Sequence, residues 1–189
     1  MKVALTTLGC KLNYAETSTY ERGFVARGLE VVPWSRTADV YVINTCAVTE
    51  TAEKKSRNLM RRAHKLAPDA LIIVTGCYAE LKKEKLYEIE GVSRVFGAKE
   101  KGMLVDETLA MLLSSNQGVI EDEKAQNAVS SINKAVIEDE TLPAYSSGER
   151  TRSFLKVQDG CNNFCAYCTV PYARGRSRNI PICEIVKQA

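Results

Sequence analysis

Two runs of the sequence read as strands buried on both faces: Val40–Asn44 (VYVIN) and Ala70–Thr75 (ALIIVT). Both are rich in β-branched and aromatic residues, and neither alternates polar with apolar. Between them, Glu50–Ala67 carries a helical pattern that Pro68 stops. Strand, helix and strand in that order, with the strands apolar throughout, require a parallel sheet covered by helices on each face. The rest of the first 113 residues follows the same alternation. Lys2–Leu8 predicts a strand, Tyr14–Arg27 a helix ended by Gly28, and Leu29–Val32 a short strand ended by Pro33. Leu81–Ile89 predicts a helix, Arg94–Phe96 a strand and Lys99–Leu113 a helix. The expected fold class is α/β, a three-layer parallel-sheet domain of flavodoxin-like or Rossmann-like type over residues 1–113. A dinucleotide binder would show GxGxxG after its first strand; here the first strand leads into Leu8-Gly9-Cys10-Lys11.

That cysteine is one of three at equivalent places. Cys10, Cys46 and Cys77 each follow a predicted strand by a few residues. The strands of a parallel sheet all end along one edge, where open α/β folds bind ligands. Three thiols from three such loops can therefore meet. Gly9 and Gly76 directly precede two of them, permitting tight backbone geometry beside a bulky group. Thiolates suit zinc or an iron–sulfur cluster, and three ligands leave one metal position open. A free cysteine is also a common small buried residue. Either role fits any one of the three; their shared placement at strand ends favours metal.

Residues 114–153 lose clear periodicity and read as a polar, acidic linker able to add an edge strand. Within it, Val119-Ile120-Glu121-Asp122-Glu123 nearly repeats as Val136-Ile137-Glu138-Asp139-Glu140, which is read as coincidence. Phe154–Val157 then predicts a new strand, running through the tight turn Gln158-Asp159-Gly160 into Cys161, and Glu184–Gln188 begins a helix. Residues 154–189 are expected to be the first βα unit of a second, truncated domain. A lone unit of this kind buries little surface, so it is expected to be poorly held. The loop between its strand and helix contains Cys161, Cys165 and Cys168 at the spacing C-x3-C-x2-C. Three close thiols without a fourth partner can hold three irons of a cube and leave the fourth iron to a chelating substrate. Zinc sites usually add a fourth Cys or His at matching spacing. The single histidine, His64, is predicted on a helix surface, and Cys183 is read as a packing residue.

Net charge is +3, which says little about partners, but its distribution says more. From Arg150 onward, seven basic residues face only Asp159 and Glu184. Such a patch attracts nucleic acid, and it is equally what a solvated basic surface looks like. The amino terminus shows no secretory pattern, and no apolar run approaches the ~18 residues of a membrane span. The expected location is cytoplasmic, where seven cysteines serve as metal ligands or redox groups rather than disulfides.

The C-x3-C-x2-C loop resembles the signature of radical S-adenosylmethionine enzymes. The phrases Leu8-Gly9-Cys10-Lys11-Leu12-Asn13, Asn44-Thr45-Cys46-Ala47-Val48-Thr49, Thr75-Gly76-Cys77-Tyr78-Ala79, Asp159-Gly160-Cys161-Asn162-Asn163-Phe164-Cys165 and Pro171-Tyr172-Ala173-Arg174-Gly175-Arg176-Ser177-Arg178 together resemble the methylthiotransferases of that class. Within that family, LGCKLN and NTCAVT look most like the branch acting on N6-threonylcarbamoyladenosine at tRNA position 37. The resemblance implies two 4Fe–4S clusters, one on Cys10, Cys46 and Cys77 and one on Cys161, Cys165 and Cys168. It also implies S-adenosyl-L-methionine as cofactor, with Tyr167 beside its adenosyl group. The implied partners are tRNA, an electron donor such as flavodoxin or ferredoxin, and a sulfur source, with no membrane. The implied chemistry is reductive cleavage of S-adenosylmethionine, hydrogen abstraction from C2 of the adenine, and delivery of a methylthio group held at the first cluster. Asn13, Asn44 and Thr45 are placed to hydrogen-bond around the first cluster, or to serve as turn and cap residues. Arg174, Arg176 and Arg178 are candidate contacts to S-adenosylmethionine or to RNA phosphates. The family's remaining barrel and RNA-binding domain lie outside this sequence, so the isolated chain is expected to hold the first cluster without turning over tRNA. The alternatives are activity on isopentenyladenosine-37 tRNA or on a ribosomal-protein aspartate, a non-catalytic iron–sulfur protein, and a zinc-binding RNA module.

Overall fold

The computed structural model describes residues 1–47, 49–115, 141–146 and 152–189. The near repeat at Val119 and Val136 lies outside the described residues.

The first unit runs β1 (Lys2–Thr7), α1 (Lys11–Ala26), β2 (Glu30–Val31), β3 (Val40–Thr45), α2 (Glu50–Leu66), β4 (Leu71–Gly76), α3 (Cys77–Leu81), α4 (Lys83–Tyr87) and β5 (Val92–Phe96). A 3₁₀ turn (Lys101–Met103) then leads into α5 (Leu104–Ser115). Five strands form one sheet in the order β2-β1-β3-β4-β5, and every pair is parallel. This is the flavodoxin-like strand order, in which connections from β1 and β3 leave toward opposite sides and open a crevice between their carboxyl ends.

Strand β3 shows why both faces must be covered. Tyr41 and Ile43 pack on one side with Ala4, Met60, Ile72, Val74 and Val95. Val40 and Val42 pack on the other with Tyr20, Phe24, Ile73, Phe96 and Leu104. Successive side chains point to opposite faces, so an uninterrupted apolar run feeds two cores at once. Helix α2 starts where Thr49 caps it, its hydroxyl accepting from the Ala52 amide at 3.1 Å, with Glu50 and Glu53 in the first turn. No helix among the described residues is long and apolar enough to cross a membrane.

Three differences between the predicted and observed elements bear on the cysteine loops and the tail. The single helix expected at Leu81–Ile89 is two short helices broken at Lys82, whose backbone leaves the helical region (φ −142°, ψ 45°). The first of them begins at Cys77 itself. Helix α1 begins at Lys11 rather than Tyr14, so Cys10 is its N-terminal cap residue and Asn13 lies in its first turn. Phe154–Val157 is not one strand. Phe154–Leu155 (β7) pairs antiparallel with Tyr145–Ser146 (β6), and Gln158–Asp159 (β8) pairs antiparallel with Arg178–Asn179 (β9). Helices α6 (Val170–Arg174) and α7 (Ile182–Gln188) complete the chain.

Nor is the tail poorly held. Lys156, Asp159 and Arg174 are all buried; Lys156 and Arg174 meet Glu16 of α1, and Asp159 pairs with both of them. The β6 segment is strapped down too. Arg22 lies 3.6 Å from the centre of the Tyr145 ring and donates to the Tyr145 carbonyl at 2.8 Å. The Tyr145 amide donates to the Thr19 hydroxyl at 3.3 Å. Charge and hydrogen bonding supply what apolar area alone could not.

Candidate metal centre

Parallel register brings the three cysteine loops to one edge. Thr7 pairs with Asn44 and Thr45 pairs with Gly76, so β1, β3 and β4 end level with one another. Cys10 and Cys46 flank the crevice between β1 and β3, and Cys77 follows the adjacent β4. Cys46 and Cys77 are buried and Cys10 is exposed.

The loops interlock through two glycines. Gly9 has φ +115°, and a Cβ there would stand 2.8 Å from Cys46 Cβ and 3.1 Å from its Sγ. Gly76 has φ +101°, and a Cβ there would stand 2.2 Å from the Thr45 carbonyl oxygen. Only a residue without a side chain allows either approach. Asn13 ties the loops further. Its amide nitrogen donates to the Leu8 carbonyl at 3.1 Å and the Thr45 carbonyl at 2.9 Å. Its amide oxygen accepts from Cys10 Sγ at 3.5 Å and from the Arg174 guanidinium. Asn44 donates to the Asn13 carbonyl at 3.0 Å and the Thr17 hydroxyl at 3.2 Å. The Thr45 hydroxyl donates to the Thr75 carbonyl at 2.6 Å. Of the three, Asn13 reaches a cysteine sulfur, while Asn44 and Thr45 hold backbone beneath the site.

Behind the thiols lies a buried group of five charges that sequence reasoning missed. Glu16 accepts from Lys101 at 2.9 Å and from Lys156 at 2.9 Å. Lys156 also pairs with Asp159 at 2.8 Å, and Arg174 pairs with Asp159 at 3.0 Å and approaches Glu16 at 3.6 Å. Burial pushes the Glu16 carboxyl up, but Lys101, Lys156 and Arg174 outweigh it and hold the group at about 2, below its ordinary 4.5. Asp159 is likewise held well below the usual carboxylate range: burial raises it, and Lys156, Lys101 and Arg174 overcome that. Burial pushes the Cys77 thiol up, opposed by the nearby positive charges of Arg174 and Lys101. A signal for this group existed: Asn13, Glu16, Thr17 and Tyr20 recur at helical spacing on the buried side of α1, where apolar residues belong.

Among the described residues, no three His, Cys, Asp or Glu side chains gather tightly enough to ligate a single ion. A cubane cluster makes no such demand, because each thiolate binds a different iron of the cube. The donor set suits that larger group: three thiols on interlocked loops, two of them buried, with the Arg174 guanidinium against Cys10. The residues fit an iron–sulfur cluster.

The second trio occupies a surface loop. Cys165 is exposed, and Cys161 and Cys168 are partly buried. The Cys161 amide donates to the Gly175 carbonyl at 3.2 Å, and the Cys168 amide to the Cys165 carbonyl at 2.9 Å. Gly160 (φ +76°) lets the loop close on residues 175–176, since a Cβ there would meet the Arg176 carbonyl oxygen at 2.2 Å. Phe164 turns the loop with a left-handed backbone (φ 46°) and packs edge-on against Tyr172. Tyr167 is 90% exposed.

The tail's arginines part company. Arg174 is buried, and Asp159, Asn13 and Glu16 occupy its guanidinium, so it is not a surface contact for RNA phosphate. Arg176 is exposed and lies over the Phe164 ring, while Arg178 donates to the Arg174 carbonyl at 2.8 Å. With Lys156 and Arg174 buried, the basic tail patch read from sequence is smaller than counted. An open groove instead lies along α2, lined by Arg57, Arg61, His64, Lys65 and Lys85, with Glu88 and Glu90 also on its wall. His64 packs on Gly91 with Nε2 3.7 Å from Glu90. Cys183, expected to pack, is exposed on α7, a helix that buries no residue.

Comparison with known proteins places these features. Residues 2–97 match the model of the uncharacterized protein family UPF0004. Over 99% of its length the chain is 43% identical to the threonylcarbamoyladenosine tRNA methylthiotransferase MtaB of Bacillus subtilis strain 168, covering 40% of that protein. It is 37% identical to MtaB of Aquifex aeolicus strain VF5, covering 44% of it. It is 30% identical to the tRNA-2-methylthio-N(6)-dimethylallyladenosine synthase of Chloroherpeton thalassium, covering 40%. The chain thus spans about two-fifths of the length of these relatives. Among solved structures, it superposes with a TM-score of 0.56 and 14% identity on TsrM, a radical S-adenosylmethionine methyltransferase of Kitasatospora setae, over 99% of this chain and 44% of that one. At that identity the likeness shows fold alone. The sheet that brings Cys10, Cys46 and Cys77 to one edge lies within the matched residues, and the chain belongs to the family UPF0004.

Proposed function

We propose that this chain is part of a radical S-adenosylmethionine methylthiotransferase that places a methylthio group on C2 of N6-threonylcarbamoyladenosine at tRNA position 37. The observation carrying this reading is the convergence of the Cys10, Cys46 and Cys77 loops, locked by Gly9, Gly76 and Asn13. It is supported by the MtaB relatives, which are named as threonylcarbamoyladenosine tRNA methylthiotransferases. Cys10, Cys46 and Cys77 would hold one 4Fe–4S cluster, and Cys161, Cys165 and Cys168 a second. When bound, the clusters supply the electron that cleaves S-adenosyl-L-methionine and the sulfur that is transferred.

The chain's own residues bind and orient. Burial of Cys46 and Cys77 keeps water from two of the three sulfurs of the first trio. Asn13 fixes the distance between the β1 and β3 loops. The second loop leaves Cys165 and Tyr167 open to solvent, where a small molecule can reach them. Tyr167 would stack beside the adenosyl group, and the α2 groove and Arg176 would meet RNA phosphate. Partners in this reading are the tRNA, an electron donor such as flavodoxin or ferredoxin and a sulfur source, in the cytoplasm.

Deletion of the gene followed by nucleoside analysis of total tRNA tests the substrate. Loss of the methylthio form of threonylcarbamoyladenosine alone is expected. Loss of the isopentenyladenosine form instead would move the chain to the sibling branch, and unchanged tRNA would reject the proposal.

A further inference from the structure

The buried charges behind the first cysteine trio are unequal. Glu16 and Asp159 face Lys101, Lys156 and Arg174, two carboxylates against three cations. An unbalanced positive charge in a buried site is costly unless something answers it. Among the three cations, Arg174 is the one in contact with sulfur: its guanidinium donates to Cys10 Sγ at 3.9 Å, and its charge lies near enough to act on the Cys77 thiol. It comes from α6, over 160 residues after Cys10 in sequence and just beyond the second cysteine loop. Asp159 and Asn13 hold the guanidinium on either side, so its direction is fixed.

We propose that Arg174 is a positioning residue for the first cluster: it closes the site from the tail, donates a hydrogen bond to the Cys10 thiolate and sets its positive charge beside the other sulfurs of the trio. This rests on reading Cys10, Cys46 and Cys77 as cluster ligands. Three thiolates on a dicationic cube leave one net negative charge, which answers the one unbalanced cation of the network. Hydrogen bonds and positive charge at cluster sulfurs stabilise the reduced form more than the oxidised one, so Arg174 raises the reduction potential of the first cluster. The same residue makes the site depend on the tail. The first cluster is complete only when β8 and α6 are docked on α1, which places the loop of the second trio beside it.

The test uses the whole chain with Cys161, Cys165 and Cys168 replaced by Ala, so that any cluster present belongs to the first trio. Arg174→Gln removes the cation and leaves two carboxylates facing two lysines, so the cluster-free interior stays electrically balanced, and a thermal melt of each variant reports whether the fold is kept. Lys156→Gln removes the same charge from the same network without a sulfur contact. Arg174→Lys restores charge without the planar fork. After anaerobic reconstitution, iron retention against a competing chelator and the midpoint potential by redox titration with EPR detection are measured. Arg174→Gln is expected to lower the potential and to release iron at roughly tenfold lower chelator concentration. Arg174→Lys should recover part of the potential, and Lys156→Gln, which loosens the docking without touching sulfur, should ease iron release but leave the midpoint potential near the parent. An unchanged potential in Arg174→Gln, or an equal shift in Lys156→Gln, would overturn the inference while the cluster assignment stood. A parent chain that binds no iron on the first trio would overturn both.

Discussion

The Glu16 carboxylate of the first helix accepts from Lys156 at 2.9 Å, across 140 residues of chain, with both side chains fully buried. This pair docks the tail onto the α/β unit, and the network around it sets how the protein responds to acid. Glu16 in the folded protein titrates at about 2 instead of 4.5. A depressed folded value means that ionised Glu16 contributes stability in full above about pH 4.5, and that the contribution disappears as pH falls toward 2. The size is on the order of 3 kcal/mol, and Asp159 acts in the same direction. Thermal melts between pH 7 and 2 should show steep destabilisation below pH 4.5. Glu16→Gln should lower the melting temperature at pH 7, by about 3–5 kcal/mol in stability, and flatten that acid limb. A mutant with the parent's pH profile would contradict this role.

Gly76 sits with φ +101° and ψ −169°, a conformation reserved for glycine, and the space beside it is filled by the Thr45 carbonyl. Gly76→Ala should destabilise the apo chain by about 1–3 kcal/mol from backbone strain alone, with more from the clash. It should also displace the Cys77 loop from the Cys46 loop. Denaturant unfolding measures the first effect and iron retention the second. Gly28→Ala provides the contrast, since its φ is +84° but a Cβ there meets nothing within 4 Å.

Arg22 is the clamp on the β6 segment, through its stacking on Tyr145 and its hydrogen bond to the Tyr145 carbonyl. Arg22→Ala should weaken that attachment by about 1–2 kcal/mol. Amide hydrogen exchange at Tyr145 and Phe154 should accelerate while exchange in β3 and β4 stays slow. Equal acceleration everywhere would mean that the segment is part of the core rather than strapped upon it.

The α/β unit was legible because its chemistry is local. VYVIN and ALIIVT can be satisfied only by a sheet buried on both faces, and they form β3, which extends one residue to Thr45, and β4, which is shifted by one to Leu71–Gly76. The level strand ends that carry Cys46 and Cys77 follow from parallel register, so the gathering of the loops was readable too. What stayed hidden is non-local. Lys156 and Asp159 sit in an ordinary-looking polar stretch, and nothing near them in sequence names Glu16 or Lys101 as partners. The expectation of a poorly held tail failed for that reason: it counted apolar area and omitted a buried ion network. The basic motif makes Arg174 a candidate contact to S-adenosylmethionine or RNA phosphate, and nothing in it names Asp159 and Asn13, which draw the side chain inside. Cys183 shows the reverse error, a cysteine assumed to pack on a helix that buries nothing.

The most direct measurement is the iron and sulfide content of the anaerobically reconstituted chain, compared with a Cys10→Ala/Cys46→Ala/Cys77→Ala variant and a Cys161→Ala/Cys165→Ala/Cys168→Ala variant. Each trio should carry about four irons per chain, so the parent should hold about eight and either variant about four. Zinc in place of iron, or a first-trio variant with undiminished iron, would contradict the account.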